Sequence, residues 1–245
     1  MTDPDFPIQT LFVGDVATLM SGRPEVARAT ASDLSAKGVA AAQLLLGQML
    51  IDGFGGPADP VAALGWFAKA ADGGEPLAFN MVGRCLENGW GGPADIERAA
   101  AWYRLAAQRG SDWGMYNHAT RLMLGDAGPI DRAEALAWFQ KAADLGHAKS
   151  INVIGGFYED GWEVERDLAK ARACYQRAAD GDDFRGRFNL GRVLASEGEV
   201  VAALAQFEAA ALTATPAFID KMIVFLRSAP IGAYRALADR LEAAR

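Results

Sequence analysis

The sequence predicts an all-α fold, a right-handed α-solenoid of tandem antiparallel helix pairs with about twelve helices. The first observation is a 36-residue period, and the second is that several independent columns of residues share it. Residue pairs that are aromatic in three of the four repeats are Trp66-Phe67, Trp102-Tyr103, Trp138-Phe139 and Cys174-Tyr175. Two further ladders keep the same register: Gly53, Gly89, Gly125 and Gly161, and Asp59, Asp95, Asp131 and Asp167.

Each repeat is predicted to contain two helices, here called helix A and helix B. In the second repeat, apolar and small residues recur with the amphipathic helical period over residues 75–88 and 95–109. Asp95 is placed to cap helix B. Gly47 and its equivalents let the two backbones approach closely. Trp66 and its equivalents are expected to fill the space between pairs and to carry most of the buried area.

The repeats predict one solenoid domain over residues 1–245. Residues 39–215 form five repeats, and the fifth is four residues shorter in its middle loop. Residues 6–38 are expected to form a degenerate N-terminal capping pair. Residues 216–245 are expected to form C-terminal capping helices, as the ends of a solenoid require a polar outer side.

Composition excludes several classes of function. The net charge of −7 and the lack of a dense basic run argue against a nucleic-acid or anionic-membrane surface. No apolar run approaches the roughly 18–20 residues that span a bilayer. Cys85 and Cys174 are the two cysteines, expected to be free thiols, and such sparse use favours a cytoplasmic protein.

The sequence carries little that resembles catalytic chemistry. It lacks the nucleophile-elbow, zinc-protease, CxxC and P-loop motifs. His118 lies in a core column and is expected to be a buried, hydrogen-bonded imidazole, whereas His147 is expected to be exposed at a repeat boundary. We therefore expect no enzyme activity, no cofactor and no metal site.

The repeat pattern resembles the Sel-one-like repeat family, the 36-residue relatives of the tetratricopeptide repeats. The resemblance covers about residues 39–211 and rests on a pattern that the second repeat shows in full: Ala78, Val82-Gly83, Leu86, Gly89, Asp95, Ala99, Trp102-Tyr103, Ala106-Ala107 and Gly110. It implies an adaptor or scaffold that binds a protein or peptide. The alternatives are an immunity or chaperone-like partner of a secreted bacterial effector, or an enzyme. The oligomeric state is not predicted.

The resemblance also implies a binding face, because helix A lines the concave surface of tetratricopeptide repeats. In the third repeat this face carries apolar and aromatic residues, and its neighbours carry charged ones, as in a hot spot with a polar rim. The predicted partner-binding residues are Asn80, Arg84, Glu87, Trp113, Tyr116, Thr120, Met123, Leu124, Asn152, Glu159, Arg185 and Arg192.

Two alternatives to this face remain open. Trp113 and Tyr116 could instead pack against the neighbouring repeat. The loop aromatics Phe54, Trp90 and Trp162 could form an exposed stripe, although space-filling is the favoured interpretation for Phe54 and Trp90 in the first two repeats.

Overall fold

A computed structural model gives the fold and describes residues 23–244. This range contains thirteen α-helices and no strand. The helices are α1 Pro24–Ala36, α2 Ala40–Asp52, α3 Pro60–Asp72, α4 Pro76–Asn88, α5 Ile96–Gln108, α6 Asp112–Leu124, α7 Arg132–Asp144, α8 Ala148–Asp160, α9 Leu168–Asp180, α10 Phe184–Ser196, α11 Val200–Thr213, α12 Pro216–Ser228 and α13 Gly232–Ala243. The first part of the predicted capping pair, residues 6–22, lies outside the described residues.

The chain divides into two compact units, Met1–Trp138 and Phe139–Arg245, with the boundary inside α7. In the first unit each helix from α1 to α6 contacts the next, and the A helices α4 and α6 also contact each other. In the second unit α8 to α11 are consecutive neighbours, and the A helices α8 and α10 touch in the same way. The predicted all-α solenoid of tandem helix pairs is confirmed.

The repeated aspartates and glycines set the ends of the helices. Asp59, Asp95 and Asp167 are the N-caps of B helices, and each carboxylate accepts a hydrogen bond from a backbone N–H three residues later, at 2.9–3.0 Å. Gly89 ends the A helix of the second repeat with a φ of 69°, a left-handed conformation that favours glycine. The 36-residue ladders therefore mark helix boundaries.

The contact between the two helices of a pair is an aromatic ring lying on a glycine. A Cβ atom added at Gly47 would lie 2.5 Å from the ring of Phe67. The same relation recurs at Gly83 with Tyr103 (2.7 Å), Gly155 with Tyr175 (2.5 Å) and Gly191 with Phe207 (2.6 Å). The glycine column therefore exists because the ring occupies the space that a side chain would need.

The prediction that the tryptophans carry most of the burial is wrong. Phe67, Tyr103, Phe139 and Tyr175, the second residues of the pairs, are each at most 2% exposed. Trp66, Trp102 and Trp138 are half-buried. Successive helical residues are about 100° apart around the axis, so only one residue of each pair faces helix A. The tryptophans lie beside that contact, as when Trp138 meets His118 edge-on.

The loop aromatics and the cysteines behave largely as expected. Phe54 and Trp90 are partly buried against the core of the first unit, which confirms space-filling for these two. Trp162 is 43% exposed and meets Phe157 edge-on. Cys85 and Cys174 are free thiols, as predicted, and both are buried. Burial raises the pKa of the Cys85 thiol to about 12.

His147 is buried, so the expectation that it would be exposed is wrong. Its imidazole is the N-cap of α8 and accepts a hydrogen bond from the backbone N–H of Ser150. Ser111, one period earlier, has the same role in α6. A repeat boundary exposes the turn but buries the cap, because the cap side chain folds back over the helix end.

We expect Phe67→Ala to lower the free energy of unfolding by about 3–5 kcal/mol, because it leaves a ring-sized cavity at a fully buried helix contact. Trp66→Ala is the matched control, since it removes a larger but half-buried ring from the adjacent position. Its cost is expected to be about 1–2 kcal/mol. Urea denaturation followed by circular dichroism measures both, and a larger loss for Trp66→Ala would contradict the assignment.

His147 is expected to make the protein acid-sensitive. Burial, with a smaller contribution from Lys149, lowers the pKa of its imidazole to about 3, whereas the unfolded chain titrates near pH 6.5. Between these values only the unfolded state binds the proton. This stabilisation is therefore complete above about pH 6.5 and is lost as the pH falls, by up to about 1.4 kcal/mol per pH unit.

His147→Ser keeps an N-cap of the type that Ser111 provides and removes the titrating group. We expect its unfolding free energy to fall less steeply than that of the wild type between about pH 6 and pH 4. Equal slopes for the two proteins in urea titrations at several pH values would show that His147 is not the acid-sensitive group.

Candidate protein-binding surface

The predicted binding residues of the second repeat lie mostly beneath the surface. Asn80 is fully buried and Arg84 is 8% exposed. The Arg84 guanidinium lies 5.4 Å from the centre of the Trp90 ring, and burial lowers its pKa. Glu87 is half-buried. These side chains therefore lie mostly beneath the helix-A face of the first unit and contribute little to its exposed surface.

The third repeat presents a partly exposed apolar cluster on α6. Trp113 and Tyr116 are half-buried, with ring centres 6.4 Å apart in an edge-on arrangement, and Trp113 also packs against the core of the first unit. Met123 is half-buried and Leu124 is 58% exposed at the end of the helix. Thr120 donates its hydroxyl hydrogen to the Tyr116 carbonyl oxygen. This cluster combines a tryptophan ring packed against the core with exposed apolar area.

The predicted residues of the second unit are engaged in contacts with neighbouring side chains. The Arg192 guanidinium lies 2.8 Å from the Glu159 carboxylate, and both side chains are partly exposed. Asn152 accepts a hydrogen bond from Asn189 at 2.8 Å. The guanidinium of Arg185 lies over the Phe184 ring, 4.4 Å from its centre.

A three-helix polar network in the first unit holds the A helices in register. Glu87 on α4 accepts a hydrogen bond from the Tyr103 hydroxyl on α5 and forms an ion pair with Arg121 on α6, at 3.3 Å. Asn117 on α6 donates to Asn80 on α4 at 2.8 Å. The carboxylate thus supplies the acceptor that the buried phenol needs and links one pair to the next.

The second unit contains the same network. Glu159 on α8 accepts from the Tyr175 hydroxyl on α9 at 2.5 Å and from Arg192 on α10. Burial opposes ionisation of Glu159, but these two hydrogen bonds together with the positive charges of Arg192 and Arg166 lower the pKa of the carboxyl group. Burial and the neighbouring carboxylate raise the pKa of Tyr175. Asn152 and Asn189 complete the arrangement, as Asn80 and Asn117 do in the first unit.

These networks follow a period of 72 residues, twice that of the fold. Along the ring column Phe67, Tyr103, Phe139 and Tyr175 alternate, and in step with them Ile51, Glu87, Met123 and Glu159 alternate on helix A. A tyrosine occurs wherever helix A offers a carboxylate, and a phenylalanine wherever it offers an apolar side chain. The sequence prediction included Glu87 and Glu159 as surface charges but missed Tyr103, Tyr175 and Arg121. The doubled period was the signal that could have found them.

The described residues add two findings about other kinds of site. In the range 23–244 no group of three or more His, Cys, Asp or Glu side chains is arranged to hold a metal ion. None of the helices described has both the length and the apolar character that a membrane crossing requires. His118 is buried, as predicted, with its Nε2 4.0 Å from the Glu134 carboxylate, and burial lowers its pKa.

Solved structures share this fold at low sequence identity. A Sel1 repeat protein from Oxalobacter formigenes aligns with 98% of this chain and all of its own, with a TM-score of 0.78 and 23% identity. The protective antigen c5321 of uropathogenic Escherichia coli, which has an SLR fold, aligns over 82% of this chain and 44% of its own, with a TM-score of 0.68 and 23% identity. The immunity protein Pa5087 of Pseudomonas aeruginosa covers 71% of this chain, which covers 66% of Pa5087, with a TM-score of 0.55 and 18% identity.

The repeats themselves identify the family. A search of curated proteins found no match. The model of the Sel1 repeat matches residues 40–75, 76–111, 114–147 and 148–183, which together make up more than half of the chain. Sel1 repeats generally mediate protein–protein interactions and act as scaffolds. This chain belongs to the Sel1 repeat family.

Proposed function

We propose that this protein is an interaction scaffold that binds a protein or peptide partner on its helix-A face, with α6 at the centre of the contact. The observation that carries the proposal is the apolar cluster of Trp113, Tyr116, Met123 and Leu124. Aromatic side chains that are anchored on one side and exposed on the other lose little conformational entropy on binding, and such residues dominate interface energies.

The charged residues predicted for the binding face are already engaged in contacts within each unit, which supports a peripheral role for them. In the first unit Glu87 is already paired with Arg121 and Tyr103, and Arg84 is buried. In the second unit Glu159 and Arg192 are paired but partly exposed. A partner that displaced these pairs would have to break satisfied contacts, so we infer that they guide association more than they hold the complex.

The proposal includes a cytoplasmic location and no catalytic activity. The two buried free thiols and the sparse use of cysteine support the location. A narrower version makes the partner a secreted bacterial effector, with this chain as its immunity or chaperone-like protein. The likeness to Pa5087 motivates that version through the fold alone. Loss of the effector's toxicity on co-expression would separate it from a general adaptor.

We expect Tyr116→Ala and Trp113→Ala each to weaken partner binding by about 2 kcal/mol, the usual size at a hot spot. Leu124→Glu is the variant least able to disturb the fold, because this side chain is 58% exposed, and it places a charge on the proposed face at the end of α6. Val61→Glu is the matched control, since Val61 is 69% exposed on the B helix α3 of the same unit.

Affinity capture from lysate with the wild type, followed by mass spectrometry, identifies the partner, and titration with each variant measures the loss. Melting curves separate binding from folding. Partner binding that survives Tyr116→Ala and Leu124→Glu, with both proteins folded, would rule out the helix-A face.

A further inference from the structure

The fifth repeat has a much shorter connection between its two helices than the fourth. Residues 161–167 join α8 to α9, whereas residues 197–199 join α10 to α11. The seven-residue connection recurs as residues 53–59, 89–95 and 125–131 in the first three repeats. The fifth repeat therefore lacks a piece of chain that every preceding repeat has.

In the first unit this connection covers the start of the preceding B helix. A Cβ atom at Gly91 would lie 2.6 Å from the carbonyl oxygen of Pro60, the first residue of α3. Gly55 meets Pro24, the first residue of α1, in the same way at 2.3 Å. Both connections also place an aromatic side chain, Phe54 or Trp90, against the core.

The position that the missing connection would cover is open in the second unit. Leu168, the first residue of α9, is equivalent to Pro60 and is 54% exposed. It borders a cleft of about 810 Å³ between α9, the end of α10 and the turn that joins α12 to α13. Val193, Phe225 and Ile231 contribute apolar walls. The cleft is thus large enough for an aromatic side chain and its flanking backbone.

A buried hydroxyl in this cleft has no partner. Three tyrosines are almost fully buried, and the hydroxyls of Tyr103 and Tyr175 donate to Glu87 and Glu159. Tyr234, the third, is 2% exposed and lines the cleft, yet its hydroxyl makes no hydrogen bond. Leaving a buried hydroxyl unpaired is costly, so a ligand that supplies an acceptor there is favoured.

The rim of the cleft carries three arginines, and one of them has no ion pair. Arg172 is paired with Glu197 at 2.8 Å and with Glu199 at 3.5 Å, and Arg192 is paired with Glu159 at 2.8 Å. Arg166 donates through Nε to the Glu159 carbonyl oxygen at 2.9 Å, and no described carboxylate lies within ion-pair distance of its guanidinium. A carboxylate of a ligand can therefore pair with Arg166 without displacing an existing ion pair.

We propose that this cleft binds a segment of a partner protein in which an aromatic side chain is flanked by carboxylates. The segment takes the place of the missing connection: its ring lies among the apolar walls, an acceptor group reaches Tyr234, and a carboxylate pairs with Arg166. This site lies on the second unit. It shares Glu159 and Arg192 with the residues predicted for the helix-A face, but Arg166, Tyr234 and its apolar walls are not among them.

The chain itself supplies a suitable probe. Residues 159–165 read Glu-Asp-Gly-Trp-Glu-Val-Glu and cover the end of α8 and most of the connection of the fourth repeat, with an aromatic residue between acidic ones. A fluorescein-labelled peptide of this sequence, capped at both ends, is titrated with the full-length protein and its anisotropy is measured. One control peptide has alanine in place of the tryptophan, and a second has amides in place of the carboxylates.

Three variants separate binding from folding. Arg166→Glu reverses the unpaired charge and is expected to weaken binding at least about tenfold, whereas Lys221→Glu makes the same charge change at an exposed site on α12 outside the cleft and leaves it unchanged. Tyr234→Phe removes only the hydroxyl and is expected to weaken binding about threefold to tenfold. Its thermal stability is expected to equal or exceed that of the wild type, because the lost hydroxyl was unpaired.

Saturable binding that falls with both control peptides, with Arg166→Glu and with Tyr234→Phe supports the proposal. It is overturned by an absence of saturable binding up to about 1 mM peptide. It is also overturned if both control peptides bind as tightly as the probe, or if Trp113→Ala abolishes binding while the cleft variants retain it. Concentration-dependent self-association that Arg166→Glu abolishes would assign the cleft to a second copy of this chain and overturn it as well. If the binding test of the helix-A face gives a negative result, the result of this peptide experiment is unaffected.

Discussion

The rest of this structure depends on one contact, in which an aromatic ring of helix B lies directly on a glycine of helix A. Phe67, Tyr103, Tyr175 and Phe207 each lie so close to a glycine that a Cβ atom there would overlap the ring. This contact fixes the distance and phase of helix B relative to helix A. In the first four repeats a seven-residue connection joins the two helices, whereas the fifth repeat keeps the ring contact with a connection of residues 197–199. Repeats must stack on one another because no single pair can cover its own apolar face.

The same contact decides where polar groups are allowed. A tyrosine at the ring position carries its hydroxyl into the interior, so an acceptor must come from the end of helix A. Glu87 and Glu159 provide it, and each then attracts an arginine from the next A helix. Repeats with phenylalanine have no such need, which explains why a network with a 72-residue period lies on a fold with half that period. The repeats therefore share one fold, but their polar contacts differ, so one repeat could not replace its neighbour without losing them.

The sequence predicted the features that recur with the 36-residue period. It did not predict which side of a helix faces its neighbour. Helix boundaries, caps and the glycine column could be read directly, since each is a local requirement at a fixed spacing. Which residue of Trp66-Phe67 is buried could not be read, because both are aromatic and only the packing angle distinguishes them. Asn80 and Arg84 occupy helical positions suited to a surface, yet the neighbouring helix and the loop tryptophan cover them. His147 was misjudged for a related reason, since a capping side chain at a turn is buried by the helix that it caps.

Sites for partners are expected where a repeat protein departs from its own period, because a regular repeat satisfies its own polar and apolar groups. Both candidate sites follow this logic. On α6 the A-helix face carries Trp113 and Tyr116, and part of their area remains uncovered. In the fifth repeat the connection that covers equivalent positions is short, and the start of α9 stays open. Tyr234 makes the contrast sharpest: two buried tyrosine hydroxyls on the regular ring column have carboxylates, and the one beyond the shortened repeat has none. An unpaired group at the point where the pattern breaks is evidence for a ligand that the pattern alone does not provide.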